Sequence, residues 1–192
     1  MIAAIVLASL FHLTAAPTAA DIIREADLPG LLNEYAPPGV TTKAVDCGQI
    51  NAFYDLNGHI IVCNEMVEDM ALVLGPDSAA DALRFVVLHE VGHAVISIDD
   101  IPFTGNEELA ADEYATVMLL EAGESDATLA MATYMAKIGS AVDDPMAPHP
   151  STFRRAAVIL GYTEGATNPG EYTSEFEAFY RAANAWARLL GR

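Results

Sequence analysis

The sequence predicts an α+β domain that is mostly helical, with a single small sheet. Strand-like residues are confined to about 40–62, around an Asn57-Gly58 turn signal. The stretches on either side read as helices separated by Gly, Pro and Asp breaks. One of those helices, running to about Ile98, is apolar on most sides yet carries "HEVGH" at its centre. With 192 residues the chain can bury one substantial core but not two.

Each element has its own signal. Residues 1–20 contain no Asp, Glu, Lys or Arg, and the apolar run Ile2 to Leu13 is too short to span a bilayer. They fit a secretory signal peptide, with small residues from Ala16 to Ala20 as cleavage positions. The expectation is therefore an exported protein, periplasmic or extracellular. Residues 21–192 would form one domain, with no transmembrane segment in the mature chain. Residues 21–35 read as one short amphipathic helix stopped by Pro37-Pro38, and 39–47 as a strand.

Asn-Gly favours a two-residue hairpin turn because both positions tolerate positive φ. With Asn57 and Gly58 as that turn, Leu56 faces His59 and Ala52 comes opposite Cys63. Cys47 then lies within reach of Cys63 through a bend at Gly48. In an oxidising compartment the two form a disulfide; a pair of buried free thiols is the alternative. Helices follow at 64–74, from an Asp77 or Ser78 cap to Ile98, at 106–121, at 126–138 and from Pro150 to about Leu160. A last one spans 172–190, where Phe176, Phe179, Tyr180 and Trp186 mark its packing face.

Charge excludes one class of function. There are 27 acidic residues against 9 basic ones, a net −18, so a phosphate backbone would be repelled. No nucleic-acid partner is expected.

The chemistry lies in 89–93. His89 and His93 are four apart, so a helix projects them from one face, one turn apart, where both can bind a single ion. Glu90 is placed to reach a water at that ion. This is the physical content of the H-E-x-x-H zinc motif. Leaving two imidazoles and a carboxylate unpartnered in an apolar helix would be costly, and a metal removes that cost. Zinc then needs a third protein ligand. In "NEELAADEYA", Glu108 and Asp112 share a helix face. Glu108 becomes the third ligand and Asp112 the carboxylate behind a liganding histidine. Glu113 is the competing ligand, and Glu107 points elsewhere.

The expected reaction is hydrolysis of a peptide bond by a zinc-activated water, with Glu90 as general base. The developing oxyanion needs a further donor. His149 and Arg155 are the candidates, against the alternatives of a helix-start residue and a structural ion pair; Tyr162 and Tyr54 stand behind them. Asn51 and Ala52, on an edge strand, would border the active-site cleft and bind the substrate backbone.

"HEVGH" followed by "ELAAD" resembles the gluzincin class of zinc metallopeptidases, with its H-E-x-x-H and E-x-x-x-D motifs. "NAFYDLNGHIIV" is similar to the edge strand of membrane-associated zinc proteases, although their transmembrane helices and their basic residue near the glutamate motif are missing. More closely, "CGQINAFYDLNGHIIVCNEM", the motif helix and "EELAADEYA" together resemble a family of small exported bacterial metallopeptidases, over about 40–165. The resemblance implies a minimal zincin-like fold and a Zn2+ cofactor held by His89, His93 and Glu108. It also implies catalysis by Glu90, support from Asp112, cysteines flanking the hairpin, and a histidine and arginine six apart matching His149 and Arg155. Peptide or protein is the expected substrate. The rival functions are a degenerate peptidase fold that only binds, and a zinc hydrolase of a non-protein amide.

Overall fold

The computed structural model describes residues 16–101, 106–139 and 150–167. Among these residues seven helices and three strands follow in the order α1 (Ala19–Glu25), α2 (Leu28–Tyr35), β1 (Thr41–Val45), β2 (Ala52–Tyr54), β3 (His59–Cys63), α3 (Asn64–Leu74), α4 (Pro76–Ile98), α5 (Glu107–Glu121), α6 (Ser125–Ile138) and α7 (Thr152–Thr167). The fold is α+β and mostly helical, as the sequence predicts. His149 and the expected helix over 172–190 lie outside the described residues.

Residues 21–35 are two helices, not one. α1 starts at Ala19, and Thr18 and Asp21 satisfy each other's backbone N–H groups in a capping box. The chain then turns through Asp27 at φ 45°, whose side chain accepts the Gly30 N–H, and Pro29 sits in the first turn of α2. Asp tolerates this left-handed conformation because its short side chain bonds locally. α4 likewise begins earlier than expected. Gly75 at φ 89° ends α3 and caps α4, and Pro76 occupies its first turn, where a missing N–H costs nothing.

The sheet order is β1-β3-β2, with β1 parallel and β2 antiparallel to β3. Its register corrects the sequence reading by one residue: Ala52 pairs with Val62 and Tyr54 with Ile60. The hairpin loop is three residues wide, Leu56 to Gly58, because the Asp55 carboxylate accepts the N–H groups of both Asn57 and His59 at 2.9 Å. Such a slip reverses which residues face the core. Cys47 and Cys63 form a disulfide, and Glu65 in the first turn of α3 accepts the Cys47 and Gly48 N–H groups. The segment leading into β2 is thereby tied to the end of β3.

α4 is the central element. Leu83, Phe85, Val87, Leu88, Val91 and Val95 are fully buried, and each large apolar side chain so placed contributes about 1.5–3 kcal/mol. It packs against α1, α2, α3, α5, α6 and the sheet. Arg84 on this helix is satisfied by Glu124, through two 2.7 Å bonds, and by the Ala26 carbonyl. Gly92 lets α5 come close. A Cβ there would lie 3.0 Å from the Ala111 Cα and 3.3 Å from the Tyr114 Cβ.

Candidate metal centre

His89 and His93 project from the middle of α4, and Glu108 reaches them from the first turn of α5. Asn106 starts that helix by accepting the N–H groups of Glu108 and Leu109, which sets the direction from which Glu108 enters. His89 Nε2 lies 3.2 Å from His93 Nε2 and 3.3 Å from Glu108 Oε2, while His93 Nε2 is 3.4 Å from Glu108 Oε1. Tetrahedral ligands bonded at 2.0–2.1 Å stand about 3.4 Å apart. The three side chains therefore fit one metal ion, and they form a possible metal site with all candidate atoms within 4.8 Å of one another.

Each histidine has a carboxylate on its other nitrogen. His89 Nδ1 donates to Asp112 Oδ1 at 2.9 Å, and His93 Nδ1 donates to Glu107 Oε1 at 2.9 Å. Both contacts hold the proton on Nδ1 and turn the Nε2 lone pairs toward each other and Glu108. Glu107 corrects the sequence reading, which turned it away. Its position, one residue into an acidic helix start, has an ordinary explanation in the helix dipole, so no local pattern marked it. Glu113, the competing ligand, instead accepts the Tyr162 hydroxyl at 3.4 Å, and burial raises its pKa.

Asp112 is wholly buried and is gripped by Arg155 from α7, Nε to Oδ2 and Nη2 to Oδ1, both at 2.7 Å. Arg155 Nη2 also comes within 3.4 Å of His89 Nδ1, and Nη1 within 3.9 Å of Glu108. The guanidinium thus stands behind His89. It is not among the residues lining the cleft.

The electrostatics follow from this packing. Burial alone would raise the Asp112 pKa, but the Arg155 and then the His89 hydrogen bonds lower it below the usual carboxylate range. For His89, burial favours the neutral ring, yet the Asp112 and Glu108 hydrogen bonds outweigh it and lift its pKa to about 9. His93 is raised in the same way, burial being outweighed by Glu108 and Glu107.

Glu90 points into a cleft between α4, α5 and β2. Its Oε2 accepts the Tyr54 backbone N–H at 2.9 Å. Tyr54 has that N–H to offer because pairing alternates along an antiparallel strand. Cys63 N–H bonds the Asn51 carbonyl and Asp55 N–H the His59 carbonyl, so the main-chain groups of Ala52 and Tyr54 face away from β3. Asn51 and Ala52 line the cleft, as do Phe53, Leu56, Ile96 and Glu107; its volume is about 540 Å³.

Helices around a central α4, one three-stranded sheet, and a two-histidine, one-carboxylate cluster beside an edge strand define an α+β protein with a possible metal site. The chain belongs to the DUF4344 family, described as "Putative metallopeptidase", whose model matches residues 32–144. The family implies a metal ion and peptide as substrate. The matched stretch contains both cysteines, His89, Glu90, His93, Glu108 and Asp112, and stops short of His149 and Arg155, which the resemblance over 40–165 included. No curated protein and no solved structure matches the chain. No helix among the described residues is long and apolar enough to cross a membrane.

Proposed function

We propose that the protein is an exported, zinc-dependent peptidase that hydrolyses peptide bonds with Glu90 as general base. The convergence of His89 Nε2 and His93 Nε2, 3.2 Å apart, on the Glu108 carboxylate, each within 3.3–3.4 Å of one of its oxygens, carries this reading. Two imidazoles and one carboxylate at tetrahedral spacing suit zinc, whereas Mg2+ and Ca2+ prefer all-oxygen shells of higher coordination. When bound, zinc supplies a Lewis acid that polarises the scissile carbonyl and acidifies water.

The chain's own residues do the rest. The Tyr54 N–H holds Glu90 Oε2 and leaves Oε1 to take a proton from the attacking water and deliver it to the leaving nitrogen. Ala52 offers an outward N–H and C=O for an extended substrate backbone, with the Asn51 amide beside them. Arg155 supports His89 through Asp112 instead of meeting the oxyanion, since its Nε and Nη2 are spent on that carboxylate. His149 remains the candidate oxyanion donor. Among the described residues the cleft lining carries Glu90, Glu107 and Glu108 and no Lys or Arg, which disfavours acidic peptides. The apolar leader and the disulfide support export, and because Thr18 caps α1 the single domain starts a few residues before the expected position 21.

Metal content by elemental mass spectrometry, with peptide hydrolysis, on wild type and Glu90→Gln tests this. One zinc per chain in both is expected, with hydrolysis lowered about 10²–10⁴-fold in the variant. A metal-free wild type overturns the reading, and full activity in Glu90→Gln overturns the assigned base.

A further inference from the structure

We propose that Leu56 is a specificity-determining residue, which receives a large apolar side chain of an extended peptide at the rim of the metal-site cleft. The inference rests on the peptidase reading of that cleft.

Leu56 has φ 57°, a left-handed conformation that aliphatic residues rarely adopt. It is also 77% exposed, while Ile60 and Val62 on the adjoining strand are fully buried. The sequence has a simpler option, an Asn57-Gly58 two-residue turn with Leu56 as an ordinary strand residue. The observed loop is wider. Asp55 Oδ1 bonds the Asn57 and His59 N–H groups, and Asn57 Nδ2 donates back to the Asp55 carbonyl at 3.2 Å. These bonds hold Leu56 at the loop tip with its side chain in water.

Nothing in the core accounts for a leucine there. Glycine or asparagine would suit the conformation better and would expose no large hydrocarbon surface. An aliphatic residue held in this sparsely populated conformation beside a cleft points to a role in binding. The cleft supplies the setting: Leu56 lines it together with Glu90, His93, Phe53 and Ile96. Phe53 is itself 39% exposed. A polar substrate side chain would gain little against this rim, whereas Leu, Ile, Phe or Met would remove apolar surface on both partners from water. Leu56 is four residues beyond Ala52, no more than roughly 13 Å of extended chain, so the side chain it meets lies a few positions from the backbone pairing at Ala52.

The test uses polar peptides of equal length, each carrying a single leucine at a different position, and their all-polar parent. Wild type, Leu56→Asn, Leu56→Gly and Leu56→Met are compared. Asn and Gly fit the loop, so thermal stability should hold or rise, and Met keeps the apolar contact. For the best leucine peptide, kcat/KM should fall about tenfold in the Asn and Gly variants, mainly through KM. The ratio of leucine-peptide to parent hydrolysis should therefore fall in the Asn and Gly variants whatever happens to the parent rate, and Leu56→Met should keep the wild-type ratio. An unchanged leucine preference in Leu56→Asn and Leu56→Gly overturns the proposal. If wild type cleaves none of the peptides, the peptidase reading fails by itself. Calorimetric binding of the same peptides to zinc-loaded protein then decides the rim: tighter binding of a leucine peptide that is lost in Leu56→Asn upholds it, and equal binding overturns it.

Discussion

Arg155 grips both carboxylate oxygens of Asp112 at 2.7 Å, and Asp112 passes that hold to His89 Nδ1 at 2.9 Å. The contact joins α7 to α5 directly behind the first histidine of α4. Asp112 is fully buried, so the guanidinium is what allows it to stay charged there.

Replacing Arg155 by Met leaves that carboxylate without its cation. The expected result is a loss of about 3–5 kcal/mol in stability, measured by urea unfolding. Zinc affinity should fall about 10–100-fold in chelator competition. Arg155→Lys keeps the charge without the two-pronged geometry and should fall between. Wild-type zinc affinity in a folded Arg155→Met protein would detach this arginine from the metal centre.

The His89 pKa of about 9 makes the stability of the metal-free protein and the strength of zinc binding respond to pH in opposite directions. Its folded value lies above the unfolded value of about 6.5, so the stabilisation is complete below that pH and disappears as pH rises through about 9. Zinc requires the neutral ring and expels the proton, so its binding strengthens over the same interval. Thermal melts with and without chelator should show the metal-free Tm falling from pH 6.5 to 9 while the increment from zinc grows. A constant increment across that range would contradict the assignment.

Glu107 separates hydrogen bonding from charge. Glu107→Gln retains an acceptor for His93 Nδ1 and should bind zinc within a few-fold of wild type. Glu107→Ala removes it, and affinity should drop by about tenfold or more. Equal affinities in the two variants would show that the contact does not orient His93.

Gly92→Ala places a Cβ 3.0 Å from the Ala111 Cα, so α5 must retreat by a few tenths of an ångström. Alanine favours the helix by about 1 kcal/mol, and overpacking costs about 1–3 kcal/mol. We expect net destabilisation in thermal melts, with weaker zinc binding because Glu107 and Glu108 ride on α5. A variant with raised Tm and unchanged affinity would mean that α5 has slack at this contact.

Much of the fold was legible because it is written in short-range patterns. Breaks at Gly75-Pro76, the apolar α4 and the helix start near Asn106 are each set within one turn of helix. The same holds for His89 and His93, whose spacing of four puts them on one face wherever that helix packs. Glu108 and Asp112 follow the same rule on α5. The hairpin register was less legible, since Asn57-Gly58 and the Asp55 carboxylate favour different loops and the side-chain hydrogen bonds decided between them.

By itself, then, the sequence determined which residues could share a helix face and which chemistry they offered: two imidazoles, a neighbouring carboxylate, and an acidic pair on another helix. Beyond Asp112, tertiary structure alone decided what stands behind them. Arg155 reaches Asp112 across 43 residues, Tyr54 turns its N–H on Glu90 across 36, and Glu107 meets His93 because Gly92 lets α5 approach. Local periodicity fixes direction along one element, but the distance between elements is set by packing. For that reason the candidate ligands, and Asp112 behind one of them, could be read one helix at a time, whereas Glu107, Arg155 and the Tyr54 N–H could not.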